Sequence, residues 1–131
     1  MPFCRVTPTT GHHTVFEDED HVAFLDRWPS LPGKVLVAPR RHIEHVVREL
    51  DQDAYVRLML VVREVALAVE DCVGAERTYL YSLGSRQGNA HLHWHIAGLP
   101  PGVPYDQRVE LLPRRAGDAA RGSVRHGRTY P

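Results

Sequence analysis

The sequence predicts an α+β domain, and three observations predict it. One long stretch repeats apolar residues at helical spacing, several short apolar runs are joined by turn residues at hairpin distances, and a single long helix is too little for an alternating parallel fold. The chain has 131 residues, which suits one core and not two.

Thr14 to Asp18 and His21 to Asp26 read as two strands, with the acidic turn Glu17-Asp18-Glu19-Asp20 making them a hairpin. Arg27 to Gly33 is a loop punctuated by Pro29, Pro32 and Gly33. Val35 to Ala38 is a short third strand that Pro39 ends. The helix begins near Asp51, a suitable N-cap, and stops at Gly74; Tyr55, Leu58, Met59, Val62, Val65, Ala66 and Val69 form its apolar stripe. Arg77 to Leu83 is the next strand, and His91 to Leu99 the last strand of a second hairpin across the turn Gly84-Ser85-Arg86-Gln87-Gly88-Asn89. The tail is rich in Pro, Gly and Arg, so a short helix near Tyr105 to Leu112 and then a weakly ordered end are expected. The domain is thus expected over 1–104, with a C-terminal extension over 105–131.

Composition narrows the function. Sixteen basic and sixteen acidic residues balance, which gives no electrostatic footprint for nucleic acid. No stretch is apolar for the ~18 residues a membrane span needs, so no membrane partner is expected. The first residues lack a signal-peptide pattern, and two cysteines are too few for a disulfide framework. A cytoplasmic protein is therefore expected, with Cys72 as a packed thiol in its helix.

The run His91-Leu92-His93-Trp94-His95-Ile96-Ala97 stands out. On a strand, His91, His93 and His95 share one face at about 7 Å spacing, while Leu92, Trp94 and Ile96 share the other. The apolar face suits the helix stripe. For the imidazole face, a solvated surface is a poor account, because histidine is not a strong strand former. Two readings remain from spacing alone. His-x-His on a strand can supply two zinc ligands, although no nearby Asp, Glu or Cys completes a set. Alternatively, imidazoles that titrate near neutrality can do nucleophilic and acid–base chemistry on an anion. The preceding turn favours the second: Gly84 and Gly88 free backbone N–H groups for a close anion, and Ser85, Gln87 and Asn89 add donors.

Here the sequence resembles the histidine triad (HIT) family, whose signature of three histidines alternating with apolar residues is matched throughout His91 to Ala97. A second segment resembles it too: Glu17-Asp18, Ala23-Phe24-Leu25-Asp26, Pro29, Pro32-Gly33 and Leu36-Val37-Ala38-Pro39-Arg40-Arg41-His42. The two cover residues from about 3 to 104. The resemblance implies a five-stranded antiparallel sheet with one long helix, commonly paired as a homodimer. It implies a purine nucleotide as substrate and attack at its α-phosphate, with no metal and no cofactor. The products of that chemistry class are those of a phosphoramidase or dinucleoside polyphosphate hydrolase.

The resemblance also assigns residues. His93 falls at the nucleophile, forming a nucleotidyl-histidine that water resolves. His91 and its carbonyl orient that ring, and His95 and His42 contact the phosphate oxygens, where donors stabilise developing charge. Asp26 falls at the ribose-binding position, with a loop-capping carboxylate as its alternative. Phe24 lines the base pocket, with a plain core aromatic as its alternative. Two departures concern the leaving group. Gln87-Gly88-Asn89 stands where many members carry a Gly-Gln-Ser/Thr arrangement, and Ser82 is nearest to the Asn or Gln that often ends the preceding strand. Members with a structural zinc carry a Cys-x-x-Cys pair near the start; this chain has Cys4 but Met1 at the matching position, so no zinc is expected. The hydrolase branch is favoured by His95, since phosphorylase and transferase branches tend to carry Gln there. The competing functions are a nucleotide-binding module with little turnover and a metal-binding histidine cluster.

Overall fold

The structure is a computed structural model and describes residues 14–26, 31 and 33–107. It contains β1 (Thr14–Glu17), β2 (His21–Leu25), β3 (Val35–Pro39), α1 (Gln52–Val73), β4 (Arg77–Tyr81) and β5 (Trp94–Leu99). The five strands form one antiparallel sheet in the order β1-β2-β3-β5-β4. A short 3-10 turn spans residues 105–107; the rest of the expected C-terminal helix lies outside the described residues.

Each element has a local cause. Asp18 closes the first hairpin by accepting the N–H groups of Asp20 and His21 at 2.8 and 2.7 Å. Asp51 caps α1 by accepting the Ala54 N–H at 2.8 Å. Gly74 ends it in the left-handed conformation, φ 62°, which returns its N–H to the Glu70 carbonyl and carries no Cβ penalty there.

One face of the sheet packs on α1. Leu58, Val62, Val65, Ala66 and Val69 meet Ala23, Val35, Val37, Leu92 and Ile96 in the core. Burying each of the Leu, Ile and Val side chains contributes about 1.5–3 kcal/mol. The helix stripe starts one turn later than expected, at Leu58, because Tyr55 is exposed. Cys72, expected as a packed thiol, is instead exposed on α1 and disulfide-bonded. Among the described residues no helix is long and apolar enough to cross a membrane.

The last strand is shorter than the alternation predicts. Regular pairing begins at Trp94, and residues 91–93 peel away toward the loop after β3. The Leu92 N–H donates to the Ile43 carbonyl at 2.6 Å, and the His91 ring reaches the Pro39 carbonyl. Residues 91–93 thus pair with an irregular loop rather than with a strand, while Leu92, Trp94 and Ile96 still face the core.

Candidate active site

The face of the sheet away from α1 carries the site. Strand register sets its rows: Phe24 lies opposite Leu36, Leu36 opposite His95, and His95 opposite Tyr81. A pocket of about 560 Å³ opens on this face, within the range of small-molecule sites. Its floor is Val22, Phe24, Leu36 and Ala38, and its rim is Arg40, Asn89, His91, His93 and His95. An apolar floor beside convergent polar groups suits a ligand with one flat apolar part and one polar part.

Hydrogen bonds fix two of the imidazoles. The Nδ1–H of His93 donates to the His91 carbonyl at 2.7 Å. A carbonyl only accepts, so the proton sits on Nδ1 and the neutral ring keeps its lone pair on Nε2. The His93 carbonyl in turn accepts from the Ser82 hydroxyl at 2.8 Å. The His91 ring is clamped at both nitrogens: Nε2–H donates to the Pro39 carbonyl at 2.7 Å, and Nδ1 accepts the Ile43 N–H at 3.3 Å. The side chain of His91 thus ties the histidine segment to the end of β3, while its carbonyl holds His93.

His95 is different. It is buried, its ring lies edge-on to His93 at 4.8 Å, and it stacks on Tyr81 at 4.8 Å with 11° between the planes. Burial, then the nearby charges of Lys34 and His93, push its pKa down to about 4, against a smaller opposite pull from Asp26. It is therefore a neutral ring at physiological pH. His42 lies outside the pocket lining; it stacks on His91 at 5.2 Å and its Nε2 meets the Glu44 carboxylate at 2.8 Å. That hydrogen bond holds the Glu44 carboxyl below the usual carboxylate range.

The turn before the histidines is more tightly used than expected. Ser85 and Gly88 exchange backbone hydrogen bonds at 3.0 Å, and the Gln87 N–H donates to the Ser85 hydroxyl at 3.1 Å. The Gly88 N–H is thus not free for an anion, and Gln87 and Gly88 are exposed off the lining. Asn89 does reach the pocket, from a left-handed conformation with φ 52°. Asparagine is among the few non-glycine residues that adopt this conformation readily. Gly84, at φ 124°, is required by space: a Cβ there would collide with the Asn89 carbonyl and stand 3.4 Å from the His93 ring.

Asp26 sits at the end of β2, one register row beyond Phe24, and its Oδ2 lies 2.9 Å from Lys34 Nζ. Lys34 is buried at 1% exposure. Its ammonium is charge-compensated by Asp26 but is not aligned for a hydrogen bond. Sequence reasoning missed Lys34 and Tyr81. A signal existed: Lys34 has the parity of Leu36 and Ala38, so a strand reading carried one position back puts it on the pocket face. Among the described residues no cluster of His, Cys, Asp and Glu has the geometry to hold a metal ion.

The HIT domain pattern matches residues 8–101. An uncharacterised HIT-like protein of Saccharolobus solfataricus is 34% identical over 117 residues, covering 86% of this chain and 83% of its own. The crystal structure of a hypothetical histidine triad nucleotide-binding protein from Sulfolobus tokodaii superposes with TM-score 0.63 at 32% identity, over 81% of this chain and 74% of that one. A HIT-like protein involved in cell-cycle regulation from Bartonella henselae gives TM-score 0.64 at 27% identity, over 71% of each chain. The pattern match covers more than half of the sequence and includes every residue of the pocket, and the chain belongs to the histidine triad (HIT) family.

Proposed function

We propose that the protein is a nucleotide-binding hydrolase or nucleotidyl transferase that acts at the α-phosphate of a purine nucleotide derivative through His93. The observation that carries this reading is the His93–His91 hydrogen bond, which leaves the His93 Nε2 lone pair available at the pocket rim. The apolar floor of Val22, Phe24, Leu36 and Ala38 suits a flat base. Asp26 is the candidate for the ribose hydroxyls. His95, His42 and Asn89 are the candidates for the phosphate oxygens and the leaving group. Gln87, Gly88 and Ser82 have lesser parts, Ser82 acting through the His93 carbonyl.

In the reaction, Nε2 of His93 attacks the α-phosphorus, a P–N bond forms, and the bond to the leaving group breaks. Water then attacks the same phosphorus and releases the nucleoside monophosphate and the free ring. Splitting one step into two easier ones is the gain of such a covalent intermediate. The substrate classes are a nucleoside phosphoramidate, a dinucleoside polyphosphate or a related adenylate. The solved Sulfolobus tokodaii relative, described as nucleotide-binding, supports the nucleotide.

The same reading includes a homodimer. β4 lies at the sheet edge, and Leu80, Leu83 and Tyr105 beside it are exposed apolar side chains. Pairing with a second copy covers such an edge. The test is turnover of an adenosine phosphoramidate by the wild type and by His93→Ala. Loss of turnover with retained nucleotide binding supports the reading. Nucleotide binding without turnover in the wild type would instead favour a binding module.

A further inference from the structure

We propose that Lys34 is a positioning residue of the pocket: with Asp26 and Tyr81 it builds a charge-and-ring stack that holds the His95 ring in one orientation beside a fixed positive charge. The stack is contiguous. Lys34 Nζ lies 2.9 Å from Asp26 Oδ2 and 5.6 Å from the centroid of the Tyr81 ring, and Tyr81 stacks on His95 at 4.8 Å. A lysine at 1% exposure is costly to bury, and it is kept here beside one carboxylate without an aligned hydrogen bond. Packing alone would be served by an apolar side chain at this position. What the ammonium adds is a fixed positive charge next to an imidazole.

The groups that face His95 come from four elements: Asp26 after β2, Lys34 before β3, Tyr81 on β4, and His93 before its own strand. Burial is the first cause that keeps a proton off His95; Lys34 and then His93 add to it, and Asp26 favours a proton. The Tyr81 hydroxyl is itself pushed above its ordinary range, by burial first and then by Asp26, so it stays protonated. Among the charges around the ring, Lys34 has the largest effect. It neutralises the carboxylate that would otherwise draw a proton onto His95. The consequence for the site is a division of labour: His95 meets the substrate as an uncharged ring whose protonation does not change with pH in the physiological range.

This inference rests on the proposed function only for its catalytic consequence, because the stack is tested in the free protein. The probe is the His95 imidazole signal in a pH titration followed by nuclear magnetic resonance on the wild type, Lys34→Met and Lys34→Arg. The wild-type ring is expected to stay neutral down to about pH 5. Lys34→Met is expected to raise its titration midpoint by about one unit, a roughly tenfold change in the protonated fraction, and Lys34→Arg is expected to restore the wild-type curve. A wild-type His95 that titrates in the ordinary imidazole range overturns the proposal without any variant, which covers the case in which Lys34→Met does not fold. A folded Lys34→Met with an unmoved His95 midpoint overturns it as well. The nucleotidyl chemistry of His93 stands or falls on other measurements.

Discussion

The Nδ1–H of His93 lies 2.7 Å from the backbone carbonyl of His91, two residues earlier in the same chain. A contact so local needs the segment to leave regular strand geometry, since a strand would turn that carbonyl into the sheet. The Ile43–Leu92 and Pro39–His91 hydrogen bonds hold the segment in its irregular path. The tautomer of the candidate nucleophile is thus set by backbone, and through it by the loop that follows β3.

Ser82 is the first place to test that chain of support. Its hydroxyl donates to the backbone carbonyl of His93 at 2.8 Å. Ser82→Ala is expected to cost about 1 kcal/mol of stability and to lower kcat by roughly tenfold with KM little changed. A raised KM at constant kcat would assign Ser82 to substrate binding instead.

The pairing of Asp26 and Lys34 makes a second prediction. Removing one partner leaves the other charge uncompensated in the interior, so Asp26→Ala is expected to lose about 3–5 kcal/mol in a urea titration. The double variant Asp26→Ala with Lys34→Met is expected to recover most of that loss. Additive losses in the double variant would show that the two side chains act separately.

Acid should destabilise the fold through His95. The unfolded ring takes a proton near 6.5, and the folded ring only near 4, first because of burial and then because of Lys34 and His93. The unfolded state thus binds more protons, and the stabilisation is complete above pH 6.5 and lost as pH falls toward 4. Asp18 acts in a lower window. Partial burial raises its carboxyl, but hydrogen bonds from the His21 side chain and the Asp20 and His21 N–H groups outweigh that and hold it below 3.8. Its share is therefore present above 3.8 and lost below. Thermal melts from pH 7 down to about 2.5 check both windows, and His95→Gln is expected to flatten the upper part of the curve.

The exposed edge at β4 predicts self-association. Light scattering is expected to give twice the chain mass for the wild type. Leu80→Asp combined with Leu83→Asp is expected to reduce it to the mass of one chain, and an unchanged dimer would move the interface elsewhere.

The fold was legible wherever one residue type did one job. Asp51 and Gly74 bracket the helix as cap chemistry requires, and the alternation of Leu92, Trp94 and Ile96 marks the core face correctly. His91 shows the limit: its identity is visible in the sequence, but its two hydrogen bonds go to Pro39 and Ile43, about fifty residues away, and no local pattern encodes them. Gly88 shows a second limit. A glycine turn reads as donors free for an anion, and only the paired Ser85 bonds reveal that its N–H is already used. Lys34 escapes notice because a lone lysine beside a glycine reads as loop, although its parity with Leu36 and Ala38 puts it on the pocket's face of the sheet. Cys72 was misread because an apolar stretch of sequence says which residues are hydrophobic, not which side of the helix each one occupies.

The proposed attack of His93 Nε2 on phosphorus leaves a covalent trace. The most direct measurement is intact-protein mass spectrometry after rapid quenching of the enzyme with an adenosine phosphoramidate, followed by peptide mapping. A mass gain of one nucleotidyl group on His93 is expected, absent in His93→Ala and discharged by water on standing. Turnover that proceeds undiminished in His93→Ala, or an adduct mapped to another residue, would contradict it.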